Sequence, residues 1–261
     1  MKEIITMIKD CFKFRDLIYE LVSRDIKVRY RRSVLGMLWT ILTPILQMLV
    51  MALVFSRLFR FEIENYVVYL LIGNIMFGFL SDTTNAALWS IIDNAGLIKK
   101  VYIPKCLFPV TKTLSNVVNL GFSLISLLFV MVITKSTFHW TILLIVIPIF
   151  YCVLFTMGIS TLLATYTVFF RDISHLYTVF TLLWMYATPI FYPASLLQET
   201  APWLLTLNPM YHFIDYFRQL VLYGKIPGVQ ENLICFAIGL VSLLLGFAAM
   251  SRNQKKFILF V

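Results

Sequence analysis

Charged residues are scarce in this chain. They make up 13% of its 261 residues, whereas 60% are hydrophobic and the mean hydropathy is +0.86. Soluble chains carry about 25% charged and roughly 45–50% apolar residues, so this composition excludes a soluble enzyme. A helix that crosses about 30 Å of hydrocarbon needs roughly 20 apolar residues. We therefore expect a multi-pass membrane protein.

The sequence also lacks the motifs of common catalytic and metal-binding sites. It contains no GxxxxGK[ST] phosphate loop, no HExxH or GxSxG motif and no paired carboxylates. Its four cysteines form no CxxC or Cys/His pair, which argues against a zinc or disulfide framework. The charged amino terminus does not have the pattern of a signal peptide. We expect no catalytic residue, metal site or bound cofactor in this chain.

Residues 1–33 hold much of the charge that is present. Between positions 14 and 27, apolar residues follow the i, i+3, i+4, i+7 spacing of one helix face, and charged residues take the other face. The pattern predicts an amphipathic helix that is too short in apolar length to span a membrane and that lies in the interface. The alternative is a solvated helix packed on a partner subunit.

Six apolar segments follow, so the predicted fold is an all-α membrane protein with six transmembrane helices. The first contains Pro44, which bends it. The second carries the polar run 81–85, which must face a bundle interior or water. The semi-polar stretch 193–229 predicts an outer re-entrant helical pair before the last span. The predicted spans cover about residues 34–56, 66–88, 107–133, 141–167, 173–192 and 231–250 of a membrane domain at 34–250, which a short cytoplasmic tail at 251–261 follows.

Basic residues are unevenly distributed between the two sides of this arrangement. With both termini inside, sixteen Lys and Arg residues fall on cytoplasmic segments, and five fall on outer segments, namely Arg57, Arg60, Lys135, Arg218 and Lys225. This excess predicts that both termini are cytoplasmic. It also accounts for the formal net charge of +9 without a basic domain, which argues against nucleic acid as a partner.

Five ordered motifs carry a resemblance that covers nearly the whole chain. In them the chain resembles the ABC-2 type permeases that export polysaccharides, the membrane subunits of O-antigen, capsule and teichoic-acid exporters. The motifs are RDIKVRYRRSVLGMLW at 24–39, NAGLIKKVYIPK at 94–105, FFRDI at 169–173, TPIFY at 188–192 and NPM at 208–210.

The resemblance implies a permease in the cytoplasmic (inner) membrane of a bacterium. It implies a homodimer that docks two copies of a separate ATPase, and the partner ATPase then binds ATP and Mg²⁺. The substrate implied is a polysaccharide carried on a lipid pyrophosphate and moved outward. The permease itself would not be an enzyme.

The family's coupling helix, which docks on the ATPase, maps onto the loop after the second span. The apolar residues there are expected to lodge in a cleft of the partner beside two lysines. The alternative is an ordinary loop that follows the positive-inside rule, which accounts for the lysines but not for the apolar residues. The residues assigned to docking are Asn94, Leu97, Ile98, Lys99, Lys100, Val101 and Tyr102.

A glycan on a lipid pyrophosphate requires two kinds of surface. Arginine forks suit phosphate oxygens, so Arg29, Arg31 and Arg32 are interpreted as pyrophosphate ligands, or else as topology determinants that bind anionic lipid. Sugars need aromatic faces and hydroxyl-bonding groups, although interfacial belts and packing are the alternative for any aromatic residue. The channel-lining residues expected on this ground are Trp39, Tyr69, Phe77, Asp82, Trp89, Phe191 and Tyr192, with Trp184 and Tyr186 as further aromatic ones.

Other functions stay open at this point. Export of a small drug or peptide is the alternative within the same class of permease. An ion-coupled carrier built around Asp82, the only carboxylate well inside a predicted span, belongs to another class. An integral membrane glycan transferase would need a carboxylate cluster that the chain does not have.

Overall fold

The computed structural model describes residues 11, 13–30, 36, 38–58, 63, 65–101, 103–254, 256, 257 and 260, without the side chains of residues 30, 48 and 51–58. Three predicted site residues, Arg31, Arg32 and Tyr102, lie outside the described residues. Within the described ranges the regular structure is helical, and there is no strand.

The helices alternate long apolar segments with short connecting ones. In chain order they are α1 (Arg15–Tyr30), α2 (Leu38–Leu58), α3 (Tyr66–Leu88), α4 (Ala95–Ile98), α5 (Leu107–Ile133), a 3₁₀ helix (Trp140–Ile145), α6 (Val146–Thr167), α7 (Ile173–Ala187), α8 (Ser195–Thr200), α9 (Pro202–Leu207), α10 (Pro209–Val221) and α11 (Val229–Asn253).

Four helical segments of the described chain are long and apolar enough to cross a membrane: α3, α5, the 3₁₀ helix together with α6, and α11. α7 has only 15 residues and ends at Ala187 instead of reaching residue 192, where the predicted fifth span ends. The cause is Pro189, which has no amide hydrogen and disfavours helical geometry in the residue before it. The count of six spans stays a prediction.

α3 lies in the middle of the bundle. It packs against α2, α5, α6, α7 and α10, and most of its side chains are buried. α11 packs along α6 at very short range, because a side chain at Gly158 or Gly246 would collide with the backbone of the facing helix. Small residues at such crossings are typical of helices packed in a membrane.

α1 packs on the same bundle. Leu17 and Ile18 of α1, and Phe14 just before it, contact a buried cluster that contains Ile103, Phe108 and Phe257. The sequence predicted that this apolar face lies in the membrane interface. In the structure these residues are half-buried against the chain itself, because the start of α5 and the carboxyl-terminal Phe257 offer an apolar surface at the same place. The interfacial position stays a prediction.

Candidate functional site

The segment between α3 and α5 forms one short helix, α4, with turns on both sides. The side chain of Asn94 donates a hydrogen bond to the carbonyl of Ser90 (2.7 Å), which ties the start of α4 to the end of α3. Leu97 and Ile98 are half-buried and pack on the cluster beneath α1. Among the described residues of this segment, Trp89 and Asp93 before α4 are exposed, and within α4 and the turn after it the exposed residues are Gly96, Lys99, Lys100 and Val101.

A polar junction joins α1 to α5, the helix that follows α4. Lys112 Nζ lies 2.7 Å from Asp25 Oδ2, and the two side chains are 23% and 15% exposed. Arg29 Nη2 donates to Asn116 Oδ1 (3.1 Å), and Asn119 Nδ2 donates to the same oxygen (3.0 Å). Because Lys112 and Asp25 are largely shielded from water, their contact is stronger than that of an exposed ion pair; Arg29 is exposed.

A first cavity of about 310 Å³ lies between α2, α3 and α5. Uncharged polar side chains from all three helices converge on it, spaced so that they share one face of each helix. Arg29, Trp39 and Asp82, three residues that the sequence selected, also line it. The uncharged polar lining consists of Thr40, Thr43, Gln47, Asn74, Asn116, Asn119 and Ser123.

Two further cavities adjoin the first one. A second cavity of about 720 Å³ lies between α2, α3 and α7, is lined by Phe77 and Phe191, and shares four residues with the first, namely Gln47, Asn74, Gly78 and Asp82. A third cavity of about 520 Å³ lies beside α1 and Asn94 and shares Arg29, Asn116 and Asn119 with the first. The third, first and second cavities therefore adjoin one another in that order, from α1 to α7.

Three of the residues that the sequence predicts to line a channel do not line these three cavities. Tyr69 is buried, and its hydroxyl donates to the carbonyls of Pro189 (3.3 Å) and Tyr192 (3.0 Å). The hydroxyl of Tyr192 donates to the carbonyl of Tyr186 (2.7 Å). Trp89 follows the end of α3. Tyr69, Trp89 and Tyr192 line none of the three cavities, and Tyr69 and Tyr192 serve the packing of the segment after α7.

Arg218 of α10 is a residue whose structural role the sequence analysis missed. It was counted among the basic residues of the outer segments, and in the structure it is only 2% exposed. Its Nη1 donates to the carbonyl of Pro189 (2.8 Å), and its Nη2 donates to those of Tyr69 (3.2 Å) and Ile190 (3.3 Å). The spacing contained a sign of this position, because Ile214 and Val221, four and three residues away, place Arg218 on an apolar helix face.

Asn208 makes a second link between α7 and α10. Its Oδ1 accepts hydrogen bonds from Trp184 Nε1 (2.8 Å) and from the amide of Met210 (3.1 Å), and its Nδ2 donates to Thr188 Oγ1 (2.8 Å). Asn208 thereby caps the first turn of α10 and holds the end of α7 at the same time. The start of α10 thus holds in place the end of α7, which Pro189 terminates.

Known proteins resemble this chain over most of its length. A family model described as ABC-2 type transporter matches residues 16–222. The O-antigen export system permease protein RfbA of Myxococcus xanthus is 30% identical over 255 residues, which cover 97% of this chain and 98% of that protein. A protein of the same name from Klebsiella pneumoniae is 30% identical over 250 residues, 93% of each chain. The capsule polysaccharide export inner-membrane protein CtrC of Neisseria meningitidis is 25% identical over 248 residues, 90% of each chain.

Proposed function

This chain belongs to the ABC-2 type transporter family, and we propose that it is the permease subunit of an ABC exporter that moves polysaccharide of the O-antigen or capsule type outward across the inner membrane. The observation that carries the proposal is the similarity to an O-antigen export permease over 97% of the chain. A match of that extent includes every helix that lines the three cavities.

Energy comes from a separate ATPase that binds ATP and Mg²⁺, because the sequence has no phosphate loop of its own. We place the docking surface on the exposed side of the α4 segment, at Gly96, Lys99, Lys100 and Val101. Leu97 and Ile98 support this surface from beneath, which revises the role that the sequence suggested for them. Two exposed lysines suit a partner surface with acidic groups.

Movement of the docked segment reaches the rest of the permease through α5 and α1. α5 begins at Leu107, shortly after α4, and the Asp25–Lys112 pair and the Arg29–Asn116 hydrogen bond fasten α1 to it. Since a largely shielded ion pair holds its geometry better than an exposed one, α1 and the start of α5 move together. Closure of the ATPase would therefore displace both helices together.

We propose that a second copy of the chain covers the exposed faces of α2 and α7. Of the 15 residues of α7, only Ser174, Tyr177 and Thr181 are buried. Leu46 and Val50 of α2 are exposed beside the second cavity, so a second copy would close that cavity into a channel. α2 and α7 are then the remaining two of six spans, and both termini are cytoplasmic. The exposed apolar residues of α7 are Leu176, Val179, Phe180, Leu182, Leu183 and Tyr186.

Arg29 is the residue we assign to the pyrophosphate of a lipid-linked substrate. We assign the pyrophosphate to the third cavity, where Arg29 lies together with Arg24 and Lys112. Besides the bond from its Nη2 to Asn116, the guanidinium carries further donors that suit phosphate oxygens. Arg31 and Arg32, which lie outside the described residues, belong to the same basic stretch of sequence.

Deletion of the gene in its host tests the proposed function. We expect the surface polysaccharide to disappear and the lipid-linked glycan to accumulate inside the cell, and the wild-type gene to reverse both effects. The purified permease should hydrolyse no ATP and should co-purify with an ATPase. An intact surface polysaccharide combined with increased drug sensitivity would instead indicate export of a small molecule.

A further inference from the structure

We propose that the first cavity binds one neutral saccharide unit of the exported polymer inside each protomer, in addition to any contact in the channel between two copies. This inference rests on the proposed function. It assigns a ligand class to a cavity between α2, α3 and α5, whereas the proposed channel lies between α2 and α7 of two copies. The cavity volume of about 310 Å³ falls at the lower end of the range of about 300–1,000 Å³ typical of small-ligand pockets.

The arrangement of polar groups is the first argument. Thr40, Thr43 and Gln47 of α2 face Asn119 and Ser123 of α5 across one cavity. Polar side chains within apolar helices are disfavoured in lipid unless they contact each other or a ligand. Amide and hydroxyl groups both donate and accept hydrogen bonds, as does a sugar hydroxyl. A polyhydroxylated ligand therefore matches this lining better than an acyl chain does.

The charge of the cavity is the second argument. Among its described lining residues, Arg29 and Asp82 are the charged ones, so one cation balances one anion. A pyrophosphate would meet the Asp82 carboxylate, and a metal cation would meet the Arg29 guanidinium. A neutral ligand avoids both repulsions. Trp39, which is 45% exposed and also lines the cavity, offers an apolar ring face that a sugar ring can cover.

Asn74 supplies the third argument. It lines both the first and the second cavity, and its amide nitrogen is buried without a hydrogen-bond partner among the described residues. Buried donors are rarely left unpaired in a native structure, and such an exception calls for an explanation. A ligand hydroxyl that accepts a hydrogen bond from this nitrogen provides one.

Protection of a cavity cysteine from a reagent tests the proposal. The complete permease in lipid nanodiscs carries Ser123→Cys, and mass spectrometry follows how fast a small hydrophilic maleimide labels residue 123. The probe is the lipid-linked glycan purified from the host strain that lacks the permease gene. We expect this glycan to slow labelling at least ten-fold, and we expect neither a polyprenyl pyrophosphate without glycan nor sodium chloride to slow it.

Two pairs of variants locate the binding site. A Cβ atom at Gly78 would meet no atom within 4 Å, and Gly78 lines both of the first two cavities, so Gly78→Leu should fill the space between them and abolish protection. Gly121→Leu is the matched control, because Gly121 is equally unobstructed and exposed on α5. Asn74→Leu should also abolish protection, whereas Thr83→Val, which removes a buried hydroxyl elsewhere on α3, should keep it.

Each other outcome overturns the proposal. Equal labelling with and without the glycan, or protection that survives Gly78→Leu in a permease that still co-purifies with its ATPase, excludes a saccharide in this cavity. Protection by the glycan-free lipid assigns the cavity to pyrophosphate, and protection by sodium chloride assigns it to a cation. A deletion strain that accumulates no lipid-linked glycan refutes the proposed function itself, before any labelling is measured.

Discussion

The guanidinium carbon of Arg218 lies 3.3 Å from the ring centroid of Tyr69, so a cation on α10 covers an aromatic ring on α3. The same guanidinium donates to three carbonyls, two of which belong to the irregular segment after α7. A buried arginine is stable when hydrogen bonds satisfy its charge, and a cation over an aromatic ring adds attraction. The contact makes Arg218 the residue that joins α10, α3 and the end of α7.

Arg218→Lys is expected to destabilise the permease. A lysine ammonium cannot reproduce the planar fork that reaches the carbonyls of Pro189 and Ile190, and the loss of one hydrogen bond to a charged group costs about 1.5–3 kcal/mol. The thermal unfolding midpoint in nanodiscs should therefore fall. Arg252→Lys, at an exposed position on α11, is the control and should leave it unchanged. A midpoint of Arg218→Lys equal to that of the wild type would contradict this account.

Asn208→Ala is expected to release the end of α7. The change removes the cap of α10, worth about 1 kcal/mol, together with the bond from Trp184. Thr188→Val removes the acceptor of the Asn208 Nδ2 bond and keeps the cap and the Trp184 contact, so its effect should be smaller. Tryptophan emission, which reports the surroundings of Trp184, and the export rate are measured for both variants. Equal effects of the two substitutions would show that the cap and the Trp184 contact do not matter.

Lys112→Met is expected to separate ATP hydrolysis from export. It breaks the ion pair that fastens α1 to α5, so the complex should still hydrolyse ATP while the amount of exported polysaccharide falls several-fold. The charge exchange Asp25→Lys with Lys112→Asp should restore part of the export. In a double-mutant cycle on the free energy of unfolding, we expect a coupling energy of about 1–2 kcal/mol between the two positions, within the range found for contacting residues. Strictly additive effects would argue against this link.

Sequence reasoning located most helices but not their orientation. Long apolar runs predicted α3, α5 and α6, because apolar length alone decides whether a segment can span a membrane. The sequence did not show which side of α4 faces the bundle, because lysines and apolar residues occur together within one turn. Which side faces inward depends on Phe14 and Phe257, which are distant in sequence. The sequence analysis also missed that Arg218 is buried, because a count of basic residues by segment carries no information on burial.

Lys99→Glu with Lys100→Glu is expected to weaken docking of the ATPase. Both lysines are exposed beside Val101, and reversal of their charge places like charges against an acidic partner surface. Co-purification of the ATPase should fall at least five-fold, more so at low salt. Lys225→Glu, an exposed lysine of the predicted outer side, is the matched control. Leu97→Ala should lower the unfolding midpoint through lost packing, and a selective loss of docking with unchanged stability would contradict the orientation of α4.

Asn74→Leu is expected to stabilise the permease and at the same time to reduce export. The buried amide nitrogen of Asn74 has no partner among the described residues, and an unpaired buried donor costs about 1–3 kcal/mol. A leucine of similar size removes that cost, so the unfolding midpoint of the ligand-free permease should rise. Thr83→Val removes another unpaired buried group on α3 and should also raise the midpoint, but without loss of export. A substitution that raises stability and lowers function is typical of a binding site, and we expect this combination at Asn74 but not at Thr83. If both variants export normally, Asn74 has no role in transport.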